Sequence, residues 1–120
     1  MVKKTLVIGA SPNVDRVAYK VVSLLRAKGF SVVPMGIKSG SIAGIEIIPP
    51  FEVVSEIDTV SLYLAPERQD EYFDYILNLH PKRVLFNPGT ENQKLAVLLS
   101  KHKITWENAC TLVLLSTNQY

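Results

Sequence analysis

The stretch Gly9-Ala10-Ser11-Pro12-Asn13, with Arg16 three residues on, is the part of this chain best equipped for chemistry. The apolar run Leu6–Ile8 leads into it, and an amphipathic segment follows. A strand that stops at small residues and hands over to a helix presents free backbone N–H groups and a positive dipole end. Both favour an anion such as a phosphate group. Three further apolar runs also end in small or turn-forming residues: Pro34-Met35-Gly36, Leu64-Ala65-Pro66 and Asn87-Pro88-Gly89. Any one of these is ordinary turn chemistry. Together they predict a ligand groove with backbone donors on its rim.

Other candidates are weaker. His80 precedes Pro81 and reads as a solvated residue at a helix C-terminus, where it suits the dipole. His102 falls at helical spacing from Leu95, Leu98 and Leu99, which predicts a partly buried edge residue. No grouping of His, Cys, Asp and Glu has the spacing of a metal site. The acidic residues Glu67, Asp70, Glu71 and Asp74 fit the solvent face of a helix, with Tyr72 and Phe73 in the core or on a dimer face.

The elements that must position these residues alternate along the chain. Leu6–Ile8 predicts a buried strand, and Val17, Ala18, Val21, Val22 and Leu25 recur at helical spacing. Asn13 or Asp15 is the expected N-cap and Gly29 the residue that ends the helix. Phe30–Met35 predicts a second strand, and residues 36–44, with three glycines and two serines, a loop. Ile45, Ile47 and Ile48 predict a short third strand before Pro49-Pro50, and residues 51–56 a turn of helix. Thr59–Leu64 and Arg83–Phe86 are strand patterns, with a helix opening at Ala65-Pro66-Glu67 between them. Thr90 is expected to open the next helix, with Leu95, Leu98, Leu99 and His102 on its core side, before a last strand at Ile104–Trp106. The apolar tail Ala109–Leu115 is ambiguous, with a short helix capped by Asn108 preferred. Such alternation predicts a doubly wound α/β fold, a parallel sheet with helices on both faces. Its ligands sit at the carboxyl ends of the strands, near the switch point.

The loop after the first strand also argues by what it lacks. The dinucleotide fingerprint requires glycine at three positions of the turn. Here they are Gly9, Ser11 and Val14. A dinucleotide site also wants an acidic residue after the second strand for the ribose hydroxyls. Pro34, Met35, Gly36 and Ile37 stand there, and Lys38 follows. A lysine suits a phosphate on the ribose, as in the phosphorylated nicotinamide cofactor or coenzyme A, though a solvated loop lysine is the commoner case. The missing glycines count against the nicotinamide cofactor.

Composition narrows the classes. The 120 residues, 48 % hydrophobic and 20 % charged, suit one globular domain over residues 1–120. A formal net charge of +2, carried by scattered basic residues, gives no electrostatic case for nucleic acid. No apolar run approaches the roughly 18 residues of a membrane span. A single cysteine, Cys110, excludes an internal disulfide, and with no signal-peptide pattern the expectation is a cytoplasmic protein.

The sequence resembles a known family at this point. Val7-Ile8-Gly9-Ala10-Ser11 with Arg16, Gly29-Phe30-Ser31-Val32-Val33-Pro34, Ala43-Gly44, Asp58-Thr59-Val60, Asn87-Pro88-Gly89 and Cys110 are similar to the small stand-alone CoA-binding domain family. Its members resemble the N-terminal CoA-binding domain of the succinyl-CoA synthetase alpha subunit and of NDP-forming acyl-CoA synthetases. The resemblance implies a Rossmann-like sheet of about five strands, with CoA or an acyl-CoA along the strand ends. Gly9, Ala10, Ser11, Pro12 and Asn13 would surround the diphosphate, with Arg16 as the helix-terminal cation. Lys38 would lie near the nucleotide end. Leu64, Ala65 and Pro66 would border the adenine or pantetheine path, and Pro34 with Asn87, Pro88 and Gly89 would form groove wall. The family's usual Val-Asn-Pro is Pro34-Met35-Gly36 here, and its usual Gln-Gly is Asn87-Pro88-Gly89.

The synthetases act through a histidine of a second domain, so no catalytic residue is expected among these 120. Cys110 could form a mixed disulfide with the CoA thiol if it faces the groove, or be a small buried hydrophobe. The expected function is CoA or acyl-CoA binding without catalysis, with a homodimer or protein partner left open. Two alternatives stand beside it: a small NADP-dependent or nucleotide-processing enzyme, and an interaction module that kept the fold and lost its ligand.

Overall fold

The computed structural model describes residues 3–120, so Met1 and Val2 of the expected single domain lie outside it. Five strands form one parallel sheet: β1 (Lys4–Ile8), β2 (Ser31–Met35), β5 (Thr59–Leu62), β6 (Arg83–Phe86) and β7 (Thr105–Asn108). Their order is β2-β1-β5-β6-β7. Leu6 stands beside Val33 on one side and Val60 on the other, and Val60 beside Val84. Four helices complete the layers: α1 (Val17–Ala27), α2 (Phe73–Leu79), α3 (Gln93–Lys101) and α4 (Thr111–Ser116). The doubly wound α/β architecture read from the alternation is the one observed.

Strand alternation decides what each face buries. Leu6, Ile8, Val60, Leu62, Val84 and Phe86 face α2 and α3 and pack on Ile76, Leu77, Leu95 and Leu99. Val7 and Val32 face the other way and pack on Ala18, Val21, Val22 and Leu25 of α1 and Leu115 of α4. Of the α1 stripe read from spacing, Ala18, Val21, Val22 and Leu25 are buried, while Val17 at the helix start is exposed. Gly29 ends that helix as expected: its N–H bonds Arg26 O at 3.0 Å, and the Phe30 N–H bonds Leu25 O at 2.9 Å. This arrangement needs a left-handed residue, and Gly29 has φ +86°.

The expected third strand is split. Ile45–Glu46 (β4) pairs antiparallel with Ser41–Ile42 (β3) in a small separate hairpin. Ile48 alone reaches the main sheet, as a parallel bridge to Met35. Its N–H bonds Pro34 O at 2.9 Å, and its carbonyl accepts the Gly36 N–H at 3.0 Å. Pro34 is tolerated inside β2 because its missing N–H would have faced this sparsely paired side. With Ile48 counted as a residual strand, the order becomes third, second, first, fourth, fifth, sixth. The chain reverses direction between β1 and β5, which makes that gap the switch point.

Local expectations fail where a distant partner wins. Residues 51–56 are irregular rather than helical. Phe51 adopts φ +65° and stacks on Tyr72 at 4.7 Å, while Tyr75 donates its hydroxyl to Glu52 O. The segment after Ala65 begins as two 3-10 turns, Pro66–Arg68 and Asp70–Tyr72, so α2 starts only at Phe73. Asn92, not Thr90, caps α3, its Oδ1 accepting the Leu95 N–H at 3.2 Å. Thr90 instead donates to Asn87 O at 2.8 Å. His102 is an exposed C-terminal residue of α3 rather than part of its core side. The tail does form a short helix, but Asn108 ends β7 and Cys110 holds the N-cap position of α4.

Candidate functional site

A cleft of about 390 Å³ opens at the carboxyl ends of β2, β1 and β5. Its first wall is the turn after β1 and the start of α1: Gly9, Ala10, Ser11, Asp15, Arg16, Val17 and Ala18. The second is Gly36, Ile37 and Lys38 past β2, and the third is Tyr63, Leu64, Arg68 and Tyr72 past β5. The cleft therefore straddles the switch point.

The first wall is built by close packing. Gly9 has φ +97°, and a Cβ there would stand 2.8 Å from the backbone carbonyl of Tyr63. A Cβ on Gly36 would stand 2.1 Å from Ala10 O. The three strand ends thus converge on backbone with no room for a side chain, and the N–H groups of Gly9 and Ala10 are both spent on Met35 O. Donors for an anion come instead from α1. Arg16 occupies its N-cap position in extended geometry, φ −78° and ψ 141°, and no side chain caps the helix. Asn13, an expected cap, accepts the Asp15 N–H at 3.0 Å in a local turn. The first-turn N–H groups of Val17 and Ala18 lie at the cleft with no side-chain cap, where a ligand oxygen can take them.

Charge surrounds this opening. Arg16, Lys38 and Arg68 line the cleft against a single carboxylate, Asp15. Its apolar share comes from Val17, Ile37, Leu64 and Tyr72, of which Ile37 is 69 % exposed. Burial pushes the Tyr63 phenol up to about 12, so it stays protonated at neutral pH. The Ser61 and Thr111 hydroxyls beside it offset part of that rise. They bond each other at 2.8 Å and leave the buried phenol oxygen without a hydrogen-bond partner. Burial raises Tyr72 as well, with Arg68 opposing.

Of the residues expected to bind a ligand, Gly9, Ala10, Ser11, Arg16, Lys38 and Leu64 line the cleft; Pro12, Asn13, Pro34, Ala65, Pro66, Asn87, Pro88 and Gly89 do not. Pro34 is buried inside β2. Asn87 is 1 % exposed and fully used in holding elements together. Its Nδ2 donates to Ser61 Oγ and Leu62 O, both at 2.8 Å, and its Oδ1 accepts the Thr111 N–H at 2.8 Å. It caps α4 from another element. His80, His102 and half-buried Cys110 lie outside the cleft lining. Among the described residues no group of three His, Cys, Asp or Glu side chains could hold a metal ion. No helix among them is long and apolar enough to cross a membrane.

Sequence reasoning missed Arg68, Tyr72 and Tyr63. Tyr72 reads as core or dimer face of a single helix and Arg68 carries no signal of its own, whereas two 3-10 turns place both at the cleft. The sequence also gave no notice of Gln69, which is 0 % exposed. Its Nε2 donates to Leu64 O at 2.9 Å and Thr90 O at 2.7 Å, and its Oε1 accepts from Asn92 Nδ2 at 3.0 Å. This amide pins the third wall to the loop after β6.

Comparison with known proteins bears on the fold and the family. The chain superposes on the crystal structure of an uncharacterized protein with a TM-score of 0.95 and 43 % identity, over 100 % of this chain and 99 % of that one. It superposes on cell-free ID.343 from Thermus thermophilus with a TM-score of 0.87 and 20 % identity, over 99 % and 91 %. A third match is to acetyl-coenzyme A synthetase 1 (dinucleotide forming) of Candidatus Korarchaeum cryptofilum, in complex with phosphate and ADP. There the TM-score is 0.65 and the identity 17 %, over 83 % of this chain and 23 % of that one. These last two likenesses concern the fold. No protein of curated function matches. The family described as CoA binding domain matches residues 3–116, and this chain belongs to it.

Proposed function

We propose that this protein binds coenzyme A or an acyl-CoA in the cleft at the ends of β2, β1 and β5, and performs no chemical step there itself. The observation that carries the reading is the set of cations around an uncapped helix start at the switch point, in a chain of the CoA binding domain family. The diphosphate takes the first-turn N–H groups of α1 beside Arg16, and Lys38 takes the ribose phosphate. The departures at Pro34-Met35-Gly36 and Asn87-Pro88-Gly89 leave room for this. Met35 is a core residue, Gly36 adds no side chain to the cleft, and Asn87 serves α4.

Thermal melting and calorimetry with CoA, acetyl-CoA, NADP and ATP in parallel test the reading. Ligand at a hundredfold excess over its dissociation constant stabilises the fold by about 2.7 kcal/mol. CoA and acetyl-CoA should raise the melting temperature, and Arg16→Ala or Lys38→Ala should remove most of the rise. A rise with NADP alone would sink the reading. No rise with any of the four would leave an interaction module as the better description.

A further inference from the structure

Arg16 and Lys38 stand over β1 and β2, and a third cation stands over β5. Arg68 lines the same cleft from the turn Pro66–Arg68. The two arginines come from opposite faces of the sheet. Arg16 begins α1, which packs on the Val7 face, whereas Arg68 precedes α2, which packs on the Leu6 face. The two residues thus line the cleft from different walls.

We propose that Arg68 is a second diphosphate-binding residue, gripping that group from the wall opposite Arg16 and leaving Lys38 to read the ribose phosphate. The assignment rests on the CoA reading above. Three observations support it. Arg68 has no competing partner: among the described residues the one ion pair is Lys82 with Asp58, at 3.9 Å. Its backbone is fixed while its side chain is exposed. The Arg68 N–H bonds Ala65 O at 2.9 Å, the Gln69 N–H bonds Pro66 O at 3.1 Å, and the buried Gln69 amide anchors the turn. The pinned turn fixes where the guanidinium starts from, and its fork matches two phosphate oxygens at once. Finally, a diphosphate has oxygens on both sides, and α1 with Arg16 serves only one.

The test is calorimetry with CoA, 3′-dephospho-CoA and inorganic pyrophosphate on the wild type, Arg68→Gln, Arg68→Lys and Lys38→Gln. The expected result is an equal loss of about tenfold for CoA and dephospho-CoA in Arg68→Gln, with weaker pyrophosphate binding. Arg68→Lys should recover only part. Lys38→Gln should weaken CoA and leave dephospho-CoA unchanged. Unchanged affinities in Arg68→Gln overturn the assignment, as does a loss for CoA alone, which would make Arg68 the reader of the ribose phosphate. If the wild type binds neither CoA nor dephospho-CoA, the CoA reading fails. Pyrophosphate then decides the arginine separately: Arg68-dependent binding keeps its anion role, and Arg68-independent binding or none removes it. Melting curves of the Arg68 variants should match the wild type, since the side chain is exposed.

Discussion

Tyr63 lines the cleft while its hydroxyl is buried out of reach of water. It sits two residues beyond Ser61 on the same face of the sheet, under the start of α4. Its hydroxyl is buried beside two others that already satisfy each other. An unpaired buried hydroxyl is a cost, and ionising it costs more. The phenol rises from 10.0 in the unfolded chain to about 12 in the fold. A raised value favours the protonated folded form, so this contribution is whole below pH 10 and is lost as pH rises toward 12. Tyr72 and Tyr75 are raised in the same direction. Urea unfolding should therefore show stability falling over that window, with a shallower fall in Tyr63→Phe. At pH 7 the same variant should melt at or above the wild-type temperature. A lower melting temperature would mean that the hydroxyl has a partner.

At the level of elements, α1 leaves a stabilising cap unused. Its N-cap position has the extended geometry that serine, threonine or aspartate would use, yet Arg16 holds it and caps nothing. An aspartate there would accept a first-turn N–H and suit the dipole, adding about 1 kcal/mol. It would also place a negative group where the proposed function puts the CoA diphosphate. Arg16→Asp should raise the melting temperature by roughly 4 °C and weaken CoA binding by more than about tenfold. Stabilisation without loss of affinity would show that the ligand does not use this helix start. Trades of this kind are expected where a site needs unsatisfied groups.

The whole molecule depends on a few polar ties between elements that are distant in sequence. Asn87 joins β5, β6 and α4 through three bonds. Asn87→Ala strands the Thr111 N–H and part of the capacity of Ser61 and Leu62, a cost of about 3 kcal/mol. The melting temperature should fall by roughly 12 °C. Exposed Pro88→Ala next door should change it little. Because Asn87 does not line the cleft, CoA affinity measured below the melting transition should stay within about threefold of the wild type. A large loss of affinity at unchanged stability would return Asn87 to the ligand wall.

Local periodicity determined what depends on neighbours in the chain. The Leu6–Ile8 strand, the buried stripe of α1, the turn at Gly29 and the alternation that makes a parallel doubly wound sheet are all written at short range. So is the turn that opens α1, since its residues are contiguous from Gly9 to Arg16. Long-range pairing decided the rest. Ile45, Ile47 and Ile48 read as one strand, but only Ile48 finds a partner in the main sheet. Asn87 looks like a turn residue until Thr111 is folded onto it from 24 positions away. Arg68 carries no signal in the sequence until the crossover from β5 to β6 puts α2 on the side opposite α1. Hydrophobic spacing reports which face of an element is buried. It does not report which two faces meet across the ends of the strands, and that meeting makes the cleft.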